Sequence, residues 1–327
     1  MFRKLLLKKL PLVLLLAMIA FFVDSATPGV AYWYRFTPRV KGIIDTHEHY
    51  TVGGNMQEFL QLSEELGIRK TVFLPTGMAP DNDGYKENMR ALLEMQKQYP
   101  DQIIAFCTVN AGDQKAPEIF EDCLNNGGKG LKLIDGHPEF YNAPLNSPNM
   151  KRLFEIADRR KVPVLMHVSM YRLPKAGNEF KELLDQFPTV RVQVAHYCCA
   201  IYEGVHLEIC SELLDRYPNV YVDLSMGVGL KRAFQYMRKD LKPIKDFILK
   251  YQDRITYGSD IILSSEGLSS SGKWLRDRMS CDLSALQDDQ VYCPVILSNT
   301  EMPVPGFSLP QEVLQKILVR NPSNMLK

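Results

Sequence analysis

Two histidines, His47 and His49, stand two positions apart in the apolar stretch Gly-Ile-Ile-Asp-Thr-His-Glu-His-Tyr. Because side chains alternate across a β-strand, both imidazoles would point the same way on a strand and could reach one metal ion. On a helix the same pair would diverge. Adjacent β-branched residues after a glycine favour a strand over residues 43–50. The pair therefore predicts a metal site, provided that further ligands lie nearby.

Other metal-capable residues end three further apolar segments. His167 lies at the end of Val-Leu-Met-His-Val, His196 at the end of Gln-Val-Ala-His, and Asp260 at the end of Tyr-Gly-Ser-Asp. Lys132 lies within Gly-Leu-Lys-Leu-Ile. A single histidine at the end of an apolar strand is usually a core residue. Four of the chain's six histidines in such positions, joined by an aspartate, indicate one shared site.

The elements that must position these residues alternate regularly from residue 41 onward. The predicted strands are 43–50, 70–76, 103–110, 129–134, 162–168, 190–197, 220–225 and 255–262. The predicted helices are 55–66, 85–99, 116–126, 149–160, 176–187, 207–217 and the long region 230–251. Nearly continuous apolar strands predict a parallel sheet covered by helices. Eight such units match a (β/α)8 TIM barrel, in which catalytic residues come from the carboxyl ends of the strands.

A doubly wound open sheet is the competing architecture. That fold would need a glycine-rich phosphate loop after its first strand, and the pair Gly53-Gly54 does not fit the pattern. We therefore expect the barrel. Residues 264–305, between the eighth strand and the last helix, form an insertion that we expect to cover the pocket.

With these motifs the chain resembles the amidohydrolase superfamily, in its amidohydrolase-related branch of hydrolases, lactonases and decarboxylases. The similarity covers about residues 41–327, which we take as one domain. The matching motifs are Asp45-Thr46-His47-Glu48-His49, Gly130-Leu131-Lys132-Leu133, Met166-His167, Ala195-His196 and Gly258-Ser259-Asp260.

The resemblance implies that four residues hold a metal ion, namely His47, His49, His167 and Asp260, with His196 beside it. Imidazoles with one carboxylate suit a divalent ion, and we favour zinc with an open position for water. Such an ion lowers the pKa of bound water from about 15.7 to about 7. Asp260 would accept the proton of that water and deliver it to the leaving group. His196 would bind a second metal or polarise the substrate carbonyl.

Lys132 distinguishes two versions of the site. In dinuclear members of the superfamily a lysine on the fourth strand is carboxylated and bridges two ions, whereas in mononuclear members this position does not bind the metal. We favour one ion, with Lys132 facing a substrate carboxylate or an ion-pair partner. Arg172, in the loop after the fifth strand, is a second candidate for binding a substrate carboxylate through its planar guanidinium. We do not expect His137 or His206 to face the site.

The leading function is a metal-dependent hydrolase that acts on an amide, lactone or ester of a small molecule. Two alternatives stay open: a metal-dependent non-oxidative decarboxylase, and a non-catalytic exported metal-binding barrel. The balance of 39 basic against 38 acidic residues gives a net charge of +1, and nothing in that balance favours nucleic acid. We therefore expect a small-molecule partner, with a homo-oligomer as a further option.

The amino-terminal residues differ from the rest of the chain in their pattern of basic and apolar residues. Arg3, Lys4, Lys8 and Lys9 precede an apolar run over residues 10–23, which is typical of a secretory signal peptide. Residues 1–26 are therefore a cleaved signal peptide or a membrane anchor, and we expect a periplasmic, secreted or membrane-anchored protein. Cys281 and Cys293, two of seven cysteines, either form a disulfide in such a compartment or remain thiols.

Overall fold

A computed structural model describes residues 37–77, 84–200 and 206–327. Strands and helices alternate along the chain, as predicted. The strands are β1 Ile43–Tyr50, β2 Ile68–Pro75, β3 Ile103–Ala105, β4 Cys107–Thr108, β5 Leu131–Gly136, β6 Val164–Val168, β7 Val192–Val194, β8 Val220–Asp223, β9 Ile255–Thr256, β10 Ile262–Leu263, β11 Gln290–Val291 and β12 Val304–Pro305. The helices are α1 Met56–Glu65, α2 Gly84–Gln98, α3 Ala116–Asn125, α4 Pro148–Arg160, α5 Pro174–Gln186, α6 Leu207–Arg216, α7 Leu230–Lys239, α8 Lys242–Lys250, α9 Gly272–Gln287, α10 Gln311–Gln315 and α11 Asn321–Met325.

The strands from β1 to β10 are parallel and close into a (β/α)8 barrel. They form two sheets, in the orders β10-β1-β2-β3 and β4-β5-β6-β7-β8-β9. Phe106 interrupts the third predicted strand, and its N–H donates to the carbonyl of Phe73 at 3.0 Å, which continues the sheet across the interruption. At the other junction the N–H of Thr46 donates to the carbonyl of Tyr257 at 2.9 Å. The predicted barrel is confirmed.

The strands are apolar along their length because helices cover one face and the barrel interior fills the other. Val164, Val192 and Val220 are fully buried on neighbouring strands and are paired in register. A separate small cluster, which includes Val72 and Leu165, lies on the other face of the strands. Both faces of the sheet are therefore packed, and a few buried polar side chains, such as Lys132 and Gln193, lie within the strands.

Several predicted elements differ from the structure. The third predicted strand is divided into β3 and β4, and the eighth, 255–262, is divided into β9 and β10, with Asp260 between them. The long helical region 230–251 is two helices, α7 and α8, because Pro243 lies in the first turn of α8 and a proline is best accommodated there. The strand predicted over residues 190–197 ends at Val194, because the backbone enters a left-handed turn at His196.

Three disulfides join cysteines that are close in sequence: Cys107–Cys123, Cys198–Cys210 and Cys281–Cys293. A Cys281–Cys293 disulfide is one of the two alternatives that the sequence left open for these cysteines. Cys199 keeps its thiol and is buried.

The predicted leader, residues 1–26, lies outside the described residues. Within the described ranges, no helix combines the length and apolar character that crossing a membrane requires.

Candidate metal centre

β1 directs both predicted histidines towards one carboxylate. The Nε2 atoms of His47 and His49 lie 3.4 Å and 3.3 Å from Oδ1 of Asp260. His47 is fully buried, whereas the side chain of His49 is partly exposed. The two imidazoles converge as the alternation of side chains on a strand predicts.

Asp260 lies between β9 and β10 in the left-handed region, with a φ of 52°. Its N–H donates to the carbonyl of His47 at 2.7 Å. Two glycines make room for this arrangement. A Cβ at Gly258 would lie 2.6 Å from the Cβ of His47, and a Cβ at Gly227 would overlap the Asp260 carboxylate. The position of the Asp260 side chain therefore depends on two neighbouring residues, Gly227 and Gly258, that have no side chain.

His196 stands at the start of an unusual turn after β7. Four consecutive residues have φ values near +60°, namely His196, Tyr197, Cys198 and Cys199. This conformation costs roughly 1–2 kcal/mol per residue, and strain of this kind concentrates at functional sites. The N–H of His196 donates to Asp223 at 2.9 Å, and its Nδ1 lies 2.8 Å from Oγ of Ser225. The turn brings Nδ1 of His196 to 3.8 Å from Oδ2 of Asp260.

Three candidate ligands thus form one compact group. Ligand atoms of His47, His196 and Asp260 all lie within 4.8 Å of one another. Imidazole nitrogens and a carboxylate oxygen are suitable ligands for a divalent ion of the zinc type. His49, next to Asp260, is positioned to join them. The donor set fits the metal that the sequence predicts.

His167 packs against this group without entering it. Its ring centroid is 5.0 Å from that of His196, and its Nε2 lies 3.3 Å from Sγ of Cys199. Among the described residues, His196 therefore takes part in the compact group and His167 does not. The assignment of His47, His49, His167 and Asp260 as the ligands stays a prediction, to which the geometry adds His196.

Lys132 points into the barrel from β5, in register with Leu165 of β6. It is 1% exposed, and its Nζ lies 3.2 Å from Nε2 of His47. Burial lowers the pKa of its ammonium to about 8, although Asp260 and Asp223 oppose this shift. Lys132 thus lies beside a candidate ligand, and its role in the site stays a prediction.

Asp223, at the end of β8, organises the site and was missed in the sequence. Its Oδ2 accepts hydrogen bonds from Nδ1 of His47 at 2.9 Å and from Nε2 of Gln193 at 2.7 Å. A carboxylate on one ring nitrogen directs the other nitrogen towards a metal. A signal was available, because Asp223 lies near the end of the seventh predicted strand, 220–225, and the other candidates lie at strand ends.

Burial sets the protonation states of the imidazoles. It lowers the pKa of His47 to about 4, with Lys132 adding to the effect. Burial also lowers the pKa of His49, and places that of His167 well below its usual value. For Asp260, burial would raise the pKa, but His47 and His196 outweigh it and the net pKa is well below the usual value. At neutral pH the rings of His47, His49 and His167 are therefore neutral and Asp260 is ionised, as metal binding requires.

The segment that carries Asp260 rests on two buried residues with ionisable side chains, Arg278 and Glu48, to which the sequence analysis assigned no role. Arg278 of α9 donates to the carbonyls of Gly227 and Ser259, each at 3.2 Å. Glu48, between the two histidines of β1, accepts from the N–H of Ile261 at 3.0 Å. Their hydrogen bonds fix the backbone on both sides of Asp260.

A cavity of about 1160 Å³ opens above these residues. Residues 264–305 contribute Leu268, Trp274 and Arg278 to its lining, so the expectation that this insertion covers the pocket is confirmed. Arg172 also lines the cavity, and its role in binding a substrate carboxylate stays a prediction. His137 lines it as well, and the expectation that it would face elsewhere was wrong.

Three solved structures show the same fold. A probable 2-pyrone-4,6-dicarboxylic acid hydrolase from Acinetobacter baumannii is 14% identical, with a TM-score of 0.56, and the match covers 87% of this chain and 99% of that chain. A 2,6-dihydroxybenzoate decarboxylase from Rhizobium is 16% identical (TM-score 0.52, coverage 88% and 99%). A zinc-bound amidohydrolase from Burkholderia multivorans is 12% identical (TM-score 0.57, coverage 87% and 98%).

No curated protein matches the sequence. The family model described as amidohydrolase matches residues 44–327, which is most of the chain. The strands, the histidines and Asp260 all lie within that match. The chain therefore belongs to the amidohydrolase family.

Proposed function

We propose that the protein is a metal-dependent hydrolase that cleaves an amide, lactone or ester of a small molecule. The observation that carries this proposal is the compact group of His47, His196 and Asp260 beside a cavity large enough for a substrate. A zinc ion held there by these residues and His49 would supply a Lewis acid and a hydroxide at neutral pH.

Asp260 has the properties of the general base. Its carboxylate is ionised at neutral pH and 16% exposed, on the wall of the cavity. It accepts a proton from the attacking water and returns this proton to the leaving group. Asp223 keeps the ring of His47 in one orientation. Lys132 and Arg172, both in the cavity lining, bind the polar end of the substrate.

A decarboxylase is the second candidate, and Arg172 supports it. Its guanidinium lies in the same cavity as the candidate ligands and could hold a carboxylate with two parallel hydrogen bonds. The decarboxylase from Rhizobium shares the fold. The two reactions differ in their balance, because hydrolysis consumes water and decarboxylation releases carbon dioxide.

One experiment distinguishes the two reactions. Zinc-loaded protein is incubated in ¹⁸O-labelled water with a panel of lactones, amides, esters and aromatic carboxylates. We expect ¹⁸O in a product carboxylate and a fall in kcat of at least about 100-fold in Asp260→Asn. Carbon dioxide release without incorporation of label would support the decarboxylase. The absence of both from fully loaded protein would refute the proposal.

We also propose that the protein works outside the cytosol. Three disulfides are typical of an oxidising compartment, and the basic-then-apolar residues 1–26 are typical of export. Amino-terminal sequencing of the protein from cell fractions distinguishes a cleaved signal peptide from an anchor over residues 10–23. An intact protein recovered only from the cytosolic fraction would refute export.

A further inference from the structure

Exposed apolar side chains gather at the mouth of the cavity. In the part of the chain that the structure describes, four large hydrophobic residues are exposed: Val52, Tyr171, Ile262 and Leu268. Three of these four line the cavity of the candidate metal centre, and Val52 does not. Leu268 is the most exposed, at 68%. Scattered apolar residues on a surface need no explanation, but a concentration around one opening indicates a binding role.

Local structure explains why these side chains face the opening. Ile262 is paired in register with His49 of β1, so the two side chains share a face, and Ile262 stands beside a candidate ligand. Its neighbour Leu263 points the other way and is fully buried. Leu268 begins a short 3₁₀ turn after Gly267, whose φ is +71°. The ring of Tyr171 stacks on His206 with centroids 3.8 Å apart.

The apolar lining continues inward from the mouth. Phe140, Ile296 and Trp274 line the same cavity and are half-buried. The volume of about 1160 Å³ lies slightly above the range of about 300–1,000 Å³ that is usual for small-molecule sites. The cavity therefore has room for more than a reactive carbonyl group, and apolar surface is available to contact the rest of the ligand.

We propose that the substrate is amphiphilic: an ester, lactone or amide whose carbonyl lies at the metal centre and whose alkyl or acyl chain passes Ile262 and reaches Leu268. The nature of the reacting group rests on the proposed function. The apolar chain rests on the lining of the mouth and is tested by binding alone. Tyr171 and Trp274 contact the same chain from other parts of the wall.

The binding test uses Trp274 as its reporter. The chain has two tryptophans, so Trp33→Phe leaves one, and n-alkanols from butanol to decanol are titrated against its fluorescence. We expect affinity to rise about threefold for each added methylene. Ile262→Ser and Leu268→Ser should each weaken decanol binding about tenfold, while Val52→Ser, also exposed but outside the cavity, should leave it unchanged. Equal affinity for butanol and decanol would overturn the proposal, as would equal losses in Val52→Ser and Leu268→Ser.

The catalytic test separates this proposal from the proposed function. With 4-nitrophenyl esters from acetate to decanoate, kcat/KM should rise with acyl length, and Leu268→Ser should lower it about tenfold for decanoate but not for acetate. Hydrolysis without a dependence on acyl length overturns the amphiphilic substrate and leaves the hydrolase standing. Chain-length-dependent binding without hydrolysis of any of these esters supports the apolar site and refutes ester cleavage, and the ¹⁸O experiment then decides between lactone or amide hydrolysis and decarboxylation. If Leu268→Ser abolishes binding to phospholipid vesicles and leaves alkanol affinity unchanged, the mouth contacts a membrane and the proposal is wrong.

Discussion

Asp223 prepares the candidate site for a metal without facing the cavity. Burial alone would raise the pKa of its carboxyl, but His47 and His196 hold that pKa well below the usual range. An ionised Asp223 accepts the hydrogen on Nδ1 of His47, so the lone pair of Nε2 stays available for a metal. The same carboxylate accepts the backbone N–H of His196. One buried residue thus orients two candidate ligands.

Asp223→Asn should weaken zinc binding by about 10–100-fold, because an amide oxygen holds the ring of His47 less firmly than a carboxylate does. Competition with a chromophoric chelator measures the affinity. Asp135→Asn is the matched control, since Asp135 is also a buried aspartate near a strand end, but it accepts a hydrogen bond from the N–H of Ala111 rather than from a candidate ligand. An unchanged zinc affinity in Asp223→Asn would show that Asp223 does not position His47.

We predict that protonation of Asp135 makes the stability of the folded protein depend on pH. Burial raises the pKa of its carboxyl to about 7, so between about pH 4 and 7 the folded protein binds a proton that the unfolded chain has released. The free energy of unfolding therefore falls as pH rises through that window, by on the order of 1.4 kcal/mol per pH unit for this group. Asp135→Asn removes this contribution. Denaturant unfolding from pH 4 to 8 should show the variant gaining stability relative to the parent as pH rises; a constant difference would contradict the prediction.

Some site residues could be predicted from the sequence and others could not. His47, His49, His196 and Asp260 were identifiable because each ends an apolar segment, and a barrel gathers strand ends at one face. Contacts between residues of different elements could not be predicted in this way. The contact of Arg278 with the backbone around Asp260 joins residues of separate elements, and no local pattern records it.

At the scale of elements, close backbone approach around β9 shapes the site. Gly258 packs directly against the Cβ of His47 on β1. The neighbouring Ser259 donates a hydrogen bond from its Oγ to Oδ2 of Asp45 at 2.6 Å. The segment between β9 and β10 is therefore packed directly on the strand that carries two candidate ligands. A small change in this segment should be transmitted to the metal site.

Gly258→Ala should destabilise the protein by about 1–3 kcal/mol and abolish zinc binding, because the new methyl group displaces His47. Thermal unfolding and elemental analysis measure the two effects. Gly42→Ala is the control: its φ of +76° costs about 1 kcal/mol or more in any alanine, but nothing lies within 4 Å of the new Cβ. Zinc binding retained in Gly258→Ala would mean that His47 does not hold the metal.

The elements themselves were largely predictable from periodicity, and the exceptions have physical causes. The strand after Val190 stops early because His196 and the residues that follow adopt left-handed backbone. Of these three residue types only histidine is enriched in left-handed backbone, so no sequence signal marks a run of four such residues. Contacts with Asp223 and the Cys198–Cys210 disulfide impose it from outside the segment.

At the scale of the whole molecule, barrel closure unites residues distant in sequence. Asp260 meets His47 because the last strands pair with β1. Eight predicted units were enough to anticipate this closure. The disulfides were less predictable: Cys107 and Cys123 are as buried as ordinary core residues, and their proximity depends on how α3 packs on the sheet.

Counting the reactive thiols tests whether the three disulfides form. All seven cysteines lie in the described ranges, and three disulfides leave one thiol, that of Cys199. Protein unfolded without reductant should react with about one equivalent of a thiol reagent, and with about seven after reduction. Removing the Cys281–Cys293 bond by double substitution to alanine should cost about 3 kcal/mol of stability. Three or more reactive thiols before reduction would contradict the presence of all three disulfides.

The central claim is that His47, His196 and Asp260, joined by His49, hold one metal ion. Elemental analysis of the whole chain, loaded with zinc and freed of excess metal, tests it most directly. We expect about one zinc per chain in the parent and in Lys132→Ala, and none in His47→Ala or Asp260→Ala, each checked for folding by circular dichroism. Two ions that are both lost in Lys132→Ala would contradict the single-ion account, and a folded parent protein that binds no zinc would contradict the claim itself.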